Sequence, residues 1–209
     1  MKYYTLENKI ENSGSFGEIA SGVIIEKKSK FISYLFNIKN EEEAISIINK
    51  IKKEYMDARH VVYIYSILDD EDKKSIRFSD DGEPQGTGTK AIYELIEKEN
   101  ITNICIVIVR YFGGILLGAG PLSRAYLNTA RMAIDCCKKK EIYKYIEKEV
   151  KLSYNGYNIF KNKIAEYISK EEIVIDNVEF SDEVIMHYYV VDYENENIDK
   201  MVEEIRYGS

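Results

Sequence analysis

The run NICIVIVR, Asn103 to Arg110, constrains this chain more than any other segment. It is apolar on both faces, as a strand at the centre of a covered sheet is. Helical periodicity stands on either side of it. Ala91, Ile92, Leu95 and Ile96 mark one helix before it. Leu122, Tyr126, Ala130, Ala133 and Ile134 mark another after it, which reaches about Cys137, with Pro121 suited to its first position and Gly120 just before.

The segments upstream complete a mixed pattern. Ile19 to Glu26 and Lys30 to Ile38 read as strands split by the polar KKS. Asn40 supplies an N-cap, and Glu41, Glu42 and Glu43 favour the positive end of a helix dipole. Ala44, Ile47, Ile48, Ile51 and Tyr55 recur at helical spacing, which predicts an amphipathic helix over 41–55. His60 to Leu68 reads as a strand, followed by the polar loop DDEDKKS. The expected order is β-β-α-β-α-β-α.

Beyond the charge cluster KKKE, Lys138 to Glu141, the pattern restarts. Ile142 to Tyr154 reads as a strand, followed by a helix carrying Tyr157, Phe160, Ile164 and Tyr167 on one face. EIVIDNVEF and VIMHYYVVDY are two further strands, and Ile198, Met201, Val202 and Ile205 fit a final helix. The order βαββα is that of a ferredoxin-like domain short of its last strand. The fold class is therefore α+β in two domains, 1–138 and 139–209, with ample core for both in 209 residues.

Composition narrows the function classes. The net charge is −7, with 18 basic and 20 acidic residues up to Cys136 and 11 and 16 from Cys137 onward. Neither part is a basic module, which argues against a broad nucleic-acid footprint. The N-terminus lacks an apolar core of signal-peptide type, and no run is long enough to cross a bilayer. Three cysteines form no disulfide framework and no CxxC, which fits a reducing cytoplasm.

The stretch RFSDDGEPQGTGTKAIYEL, Arg77 to Leu95, is densest in chemistry. Asp80, Asp81 and Glu83 are hard oxygen donors, but their spacing is not that of a calcium loop. The preferred reading is a tight turn in which Asp80 and Asp81 bond nearby backbone N–H groups and Pro84 stiffens the exit. GEPQGTGTK lacks the Gly-Lys-Ser/Thr triplet of a P-loop, though a helix start at Thr87, Gly88 and Thr89 suits an anion. In RYFGGILLGAGPLSRAY, the residues Arg110, Tyr111, Ser123 and Arg124 bracket Gly113, Gly114, Gly118 and Gly120 and a helix N-terminus. Those groups suit a phosphate or carboxylate; the competing reading is tight turns and a solvated Arg124. His60 follows Asp57 and Arg59 at a strand start. Neither a nucleophile elbow nor a zinc pattern is present, and His187 reads as structural.

Taken together, DARH at 57–60, SDDGEPQGTG at 79–88, VRYFGG at 109–114 and LGAGPLSRAY at 117–126 resemble the YigZ/IMPACT family. The four ordered motifs lie within residues 16–135, and residues 141–206 look like the small second domain of bacterial YigZ-type members. The resemblance implies a first domain with the left-handed βαβ fold of EF-G domain IV, and a second domain similar to that factor's last one. It implies a regulator of translation: the eukaryotic relative competes for an activator of the initiation-factor kinase. The motif residues carried over are Ala58, His60, Ser79 to Pro84, Gly86, Thr87, Arg110 to Gly114, Leu117, Gly118, Gly120, Leu122 and Arg124 to Tyr126. Thr89, Ala91 and Pro121 depart from the family's usual Gly, Pro and Gly.

The expected function is a non-catalytic cytoplasmic binding protein acting on a translation-associated protein or the ribosome, with RNA disfavoured by charge and no membrane partner. No catalytic residue, metal ligand or cofactor is assigned. The composite binding site is expected to gather His60, Asp80, Asp81, Glu83, Arg110, Tyr111, Gly113, Gly114, Gly118, Gly120, Ser123 and Arg124. The alternative is a small hydrolase or transferase for a phosphorylated metabolite or nucleotide, its acids Asp80, Asp81 and Glu83 and its anion clamp Arg110 and Arg124.

Overall fold

A computed structural model describes residues 3–9, 14–69 and 73–207. Much of the DDEDKKS loop and the last two residues lie outside them. The chain is α+β and falls into two compact units, Met1–Ile142 and Tyr143–Ser209.

The first unit is built on a five-stranded sheet. Its strands are β2 (Ala20–Glu26), β3 (Ser29–Asn37), β4 (His60–Leu68), β5 (Lys74–Ser79) and β6 (Ile104–Tyr111), counting after β1 (Tyr3–Asn8). The order is β2-β3-β6-β4-β5, and every neighbouring pair is antiparallel. The twice-apolar strand β6 takes the centre, where Ile104 to Arg110 are all buried.

Alternation along β6 divides the core. Ile104, Ile106 and Ile108 face α2 (Lys90–Lys98) and α3 (Ala119–Asp135), packing with Ile92, Ile96, Tyr126 and Ala130. Cys105, Val107 and Val109 face α1 (Glu41–Glu54), packing with Ala44, Ile48 and Ile51. Each Ile or Val side chain so buried contributes about 1.5–3 kcal/mol relative to exposure. The α1 helix starts as expected, with the Asn40 side chain accepting from the Glu43 N–H at 2.9 Å. The α3 helix starts two residues before the expected Pro121, at Ala119. Pro121 still falls in the first turn, where its missing N–H costs no helical bond.

The structure adds strands to the expected order. The KKKE run, at the expected boundary between 1–138 and 139–209, belongs to β7 (Cys137–Ile142), which pairs antiparallel with β1. Its lysines are exposed, and it buries Cys137 at its start. Residues 74–79 add the edge strand β5, paired along β4.

In the second unit, β8 (Tyr145–Leu152), α4 (Tyr154–Lys163), α5 (Ala165–Ser169), β9 (Ile173–Phe180), β10 (Val184–Val191) and α6 (Asn195–Tyr207) follow in order. The sheet runs β8-β10-β9, all antiparallel, over a core that includes Leu152, Phe160, Met186, Tyr188 and Ile198. This is the ferredoxin-like order without a fourth strand among the described residues. The single helix expected across Tyr157 to Tyr167 is broken at Ile164. His187 stands opposite Glu149, 3.9 Å from its carboxylate. No described helix is long and apolar enough to cross a membrane.

Candidate functional site

The acidic turn follows directly from β5. Asp81 takes a left-handed conformation, φ 47°, which Asp tolerates because its short side chain bonds locally. Each of the three carboxylates then goes to a different place.

Asp80 turns toward α2. Its carboxylate accepts from the N–H groups of Gly86 (2.6 Å), Gly88 (3.0 Å) and Thr89 (2.9 Å), and from the Thr89 hydroxyl at 2.9 Å. Thr89 is the N-cap of α2 yet makes no capping bond of its own. Asp80 caps the helix from a distance, so the helix start that suited an external anion already holds an internal one.

Asp81 turns toward the start of β4. It accepts from Val61 N–H at 2.7 Å and pairs with Lys52 at 2.8 Å. Burial pushes its carboxyl up, but Lys52, the Val61 N–H and nearby His60 outweigh this, and the net displacement is downward. The Asp81 carbonyl oxygen lies 2.8 Å from His60 Nδ1, which fixes the imidazole over the turn.

Glu83 turns into the protein. Its side chain is 3% exposed and pairs with Nη1 of Arg110, itself 6% exposed. The Tyr126 hydroxyl donates to the same carboxylate at 2.7 Å. Burial and the neighbouring Glu83 both push the Tyr126 hydroxyl's pKa far up, so it stays a donor. His60 Nε2 is 3.7 Å from the other carboxylate oxygen. Register explains the meeting: His60 is opposite Arg110 across β4 and β6, and Phe31 is opposite Arg110 across β3 and β6. The guanidinium also lies over the rings of Phe31 and Phe112.

These groups form the floor of a cavity of about 500 Å³. Arg59, His60, Glu83 and Arg110 line it together with Pro84, Phe112, Leu116 and the residues 117–119 and 122 at the start of α3. A larger cavity, about 780 Å³, lies beside β5 and α2, and Asp80 lines that one. The acidic turn thus stands between two cavities, with Asp80 and Glu83 on different ones.

The structure therefore brings together His60, Glu83 and Arg110, with Asp81 joined through its carbonyl and Gly118 at the rim. It does not bring in the rest. Asp80 is spent on α2. Tyr111 follows Arg110 in a strand and so points to the opposite face, where its hydroxyl donates to Asp57 at 2.8 Å and its pKa is pushed up to about 12 by burial and that carboxylate. Arg124 is exposed, two residues and some 200° around α3 from the buried Leu122. It sits beside Gly120 on the solvent side, so Arg110 and Arg124 form no clamp. Ser123 is half-buried on α3 and lines neither cavity. Gly113 is a packing residue: a Cβ there would lie 2.0 Å from the Lys28 carbonyl carbon. Gly114 has φ 83° and meets nothing within 4 Å.

Sequence reasoning missed Tyr126 as a partner of Glu83, and Phe31, Phe112 and Arg59 as walls. For Phe31 there was no local signal. Tyr126, Phe112 and Arg59 sit inside the quoted motifs and were open to selection. Among the described residues no cluster of three or more His, Cys, Asp or Glu side chains is placed to hold a metal.

The model of the Impact N-terminal domain matches residues 27–134, which contain every element of this site. Over 187 residues the chain is 28% identical to the IMPACT family member YvyE of Bacillus subtilis, covering 88% of this chain and 82% of that protein. It is 39% identical to an IMPACT family member of Haemophilus influenzae, covering 63% of this chain and 61% of the relative. It is 35% identical to YigZ of Escherichia coli, covering 57% and 60%. A crystal structure of a hypothetical protein aligns over 100% of this chain and 95% of its own at a TM-score of 0.58 and 24% identity, which bears on the fold alone. With the family model spanning more than half of the 209 residues and the motifs sitting where the structure gives them work, the chain belongs to the IMPACT family, whose bacterial members include YigZ.

Proposed function

We propose that this chain is a non-catalytic binding protein of the cytoplasm that acts on translation through a ribosome-associated protein. Membership of the IMPACT family supports the link to translation. The observation that carries the non-catalytic part is the fate of the three carboxylates. Asp80 accepts from four donors, Asp81 from Lys52 and the Val61 N–H, and one oxygen of Glu83 from both Arg110 and Tyr126. Each carboxylate is thus engaged in holding local structure, which supports a binding role over a catalytic one.

What faces water beside that floor is apolar. Phe112, Ile115 and Leu116 are 44%, 43% and 84% exposed on one short loop. Exposed apolar groups so close in sequence mark a contact surface for protein more than for RNA, and the charge of −7 points the same way.

The test is co-sedimentation of the purified chain with ribosomes at low salt, with and without nuclease, beside capture from lysate. Retention of ribosomal proteins or translation factors after nuclease, weakened in a Phe112→Ala/Leu116→Ala variant of unchanged melting temperature, is the expected result. Loss of every partner after nuclease would replace the protein with RNA. Failure to bind ribosomes, RNA or any translation protein at low salt would overturn the proposal.

A further inference from the structure

The first-unit helices differ at their N-termini. Asn40 caps α1 and Asp80 caps α2. The 17-residue α3 has no side-chain cap and no acidic residue in its first turn. Its N-cap is Gly118 at φ 76°, a conformation that suits glycine and leaves no side chain over the helix end. Gly118 and Ala119 line the 500 Å³ cavity, so the uncapped end opens into it. Backbone N–H groups at such an end attract negative charge.

A second feature of the same cavity is independent of the helix. Arg110 lines it and is 5% exposed. Glu83 takes its Nη1, while its Nε is buried with no hydrogen-bond partner. A buried guanidinium N–H left unpaired is costly, and the edge formed by Nε and Nη2 is one by which arginine takes a carboxylate bidentately. The guanidinium at the floor therefore carries a buried N–H with no partner among the described residues.

The charge and shape of the cavity narrow the ligand. Arg59 and Arg110 contribute two positive charges and Glu83 one negative, a single excess positive charge among these three. A monoanion balances it; a phosphate dianion would leave an unbalanced charge next to Glu83. Pro84, Phe112, Leu117 and Leu122 line the rest, and the volume is in the range of small-molecule sites.

We propose that this cavity binds an organic carboxylate with an apolar body, its carboxylate held by Arg110, Arg59 and the free N–H groups at the start of α3. The cavity shares Phe112 and Leu116 with the contact surface proposed above, but carboxylate binding is read without a ribosome and partner capture without a carboxylate, so the two fail separately.

The experiment is a titration of the ¹⁵N-labelled full chain with acetate, phenylacetate and 4-phenylbutyrate, with phenylacetamide and inorganic phosphate as comparisons, read by backbone amide and arginine Nε–Hε resonances. The two aryl carboxylates are expected to shift the Arg110 Nε–Hε signal and the Ala119 and Gly120 amides saturably. Phenylacetamide should bind roughly tenfold more weakly, the loss of a charge-assisted hydrogen bond, and acetate more weakly than either acid. Arg59→Gln should weaken phenylacetate severalfold, while Arg131→Gln, exposed toward the other end of α3, leaves it unchanged. The proposal is overturned if no carboxylate gives saturable shifts at millimolar concentration, if the amide binds as well as the acid, if the Arg110 signal stays still, or if phosphate outcompetes every carboxylate.

Discussion

Replacing Glu83 with Ala removes the one acceptor shared by Arg110 and Tyr126, and its cost follows from their burial. Arg110 is 5% exposed and Tyr126 is 0% exposed. Breaking a buried pair from one side strands the other charge, a loss of about 3–5 kcal/mol. The orphaned Tyr126 hydroxyl adds about 1 kcal/mol or more. Together these remove roughly 4–6 kcal/mol from a domain whose total stability is of the order of 5–15 kcal/mol. For a unit of this size the melting temperature should fall by roughly 10–20 °C. Urea denaturation followed by far-UV circular dichroism measures the free energy, and hydrogen exchange in β6 locates it at Arg110. The companion variants decide the cause. Tyr126→Phe should cost only about 1 kcal/mol. The double variant Glu83→Met/Arg110→Met, which removes both charges, should be more stable than Glu83→Ala, since no charge is then left unpaired. A Glu83→Ala loss under about 1 kcal/mol, or a double variant as unstable as the summed single substitutions, would refute the idea that the pair is desolvated and mutually dependent.

Three further outcomes are expected. Asp80→Ala should cost about 2 kcal/mol by uncapping α2, with Asp80→Asn costing less because the amide oxygen still accepts; an unchanged urea midpoint for both would show that α2 does not need this cap. Asp81 has a depressed carboxyl pKa in the folded protein, so its contribution is present above the unfolded value and lost as pH falls through the folded one. Asp81→Asn should therefore be less stable than the parent at neutral pH by up to about 1 kcal/mol, a pair with Lys52 this accessible being worth no more, and the two should converge below roughly pH 4; a constant difference across that range would contradict the Lys52 and Val61 contacts. Gly113→Ala should lose about 1–3 kcal/mol, since its Cβ would stand 2.0 Å from Lys28 backbone and the β2–β3 turn must move; a melting temperature equal to the parent's would show that the turn yields freely.

The parts of the fold legible in sequence are those whose local pattern and burial coincide. β6 declared itself through apolar residues on both faces and occupies the sheet centre, and α1 through Asn40 and the spacing of Ala44, Ile48 and Ile51. The second unit was legible for the same reason, down to its three strands. β1, β5 and β7 were not, because their partners and not their side chains make them strands: KKKE pairs with β1 while its lysines reach water. At the candidate site the motifs named the right segments but not which side chains meet. Two errors were avoidable. Period-two alternation puts Tyr111 opposite Arg110, and a 100° step per residue puts Arg124 opposite the buried face of α3. The Glu83–Tyr126 bond, 43 residues long in sequence, has no local signature.

The three acids next to one another in the chain make sense once each is assigned an element. Asp80 fixes the start of α2, Asp81 the start of β4, and Glu83 the end of β6 together with α3 through Tyr126. One turn thereby ties two strands and two helices at the same end of the sheet, with charges taken out of solvent where apolar packing would cost less. Buried ion pairs are poor contributors to net stability but strict about geometry, since a displaced partner strands a charge. That strictness has a use at this end of the sheet. It holds the Arg110 guanidinium with one edge bound by Glu83 and its Nε unpaired, beside a helix N-terminus that has no cap. Apolar substitutes for Glu83 and Arg110 together would stabilise the floor and abolish that arrangement. On the carboxylate-binding proposal, the energetic cost of the acidic turn is the cost of holding a fixed, incompletely satisfied cation beside the cavity.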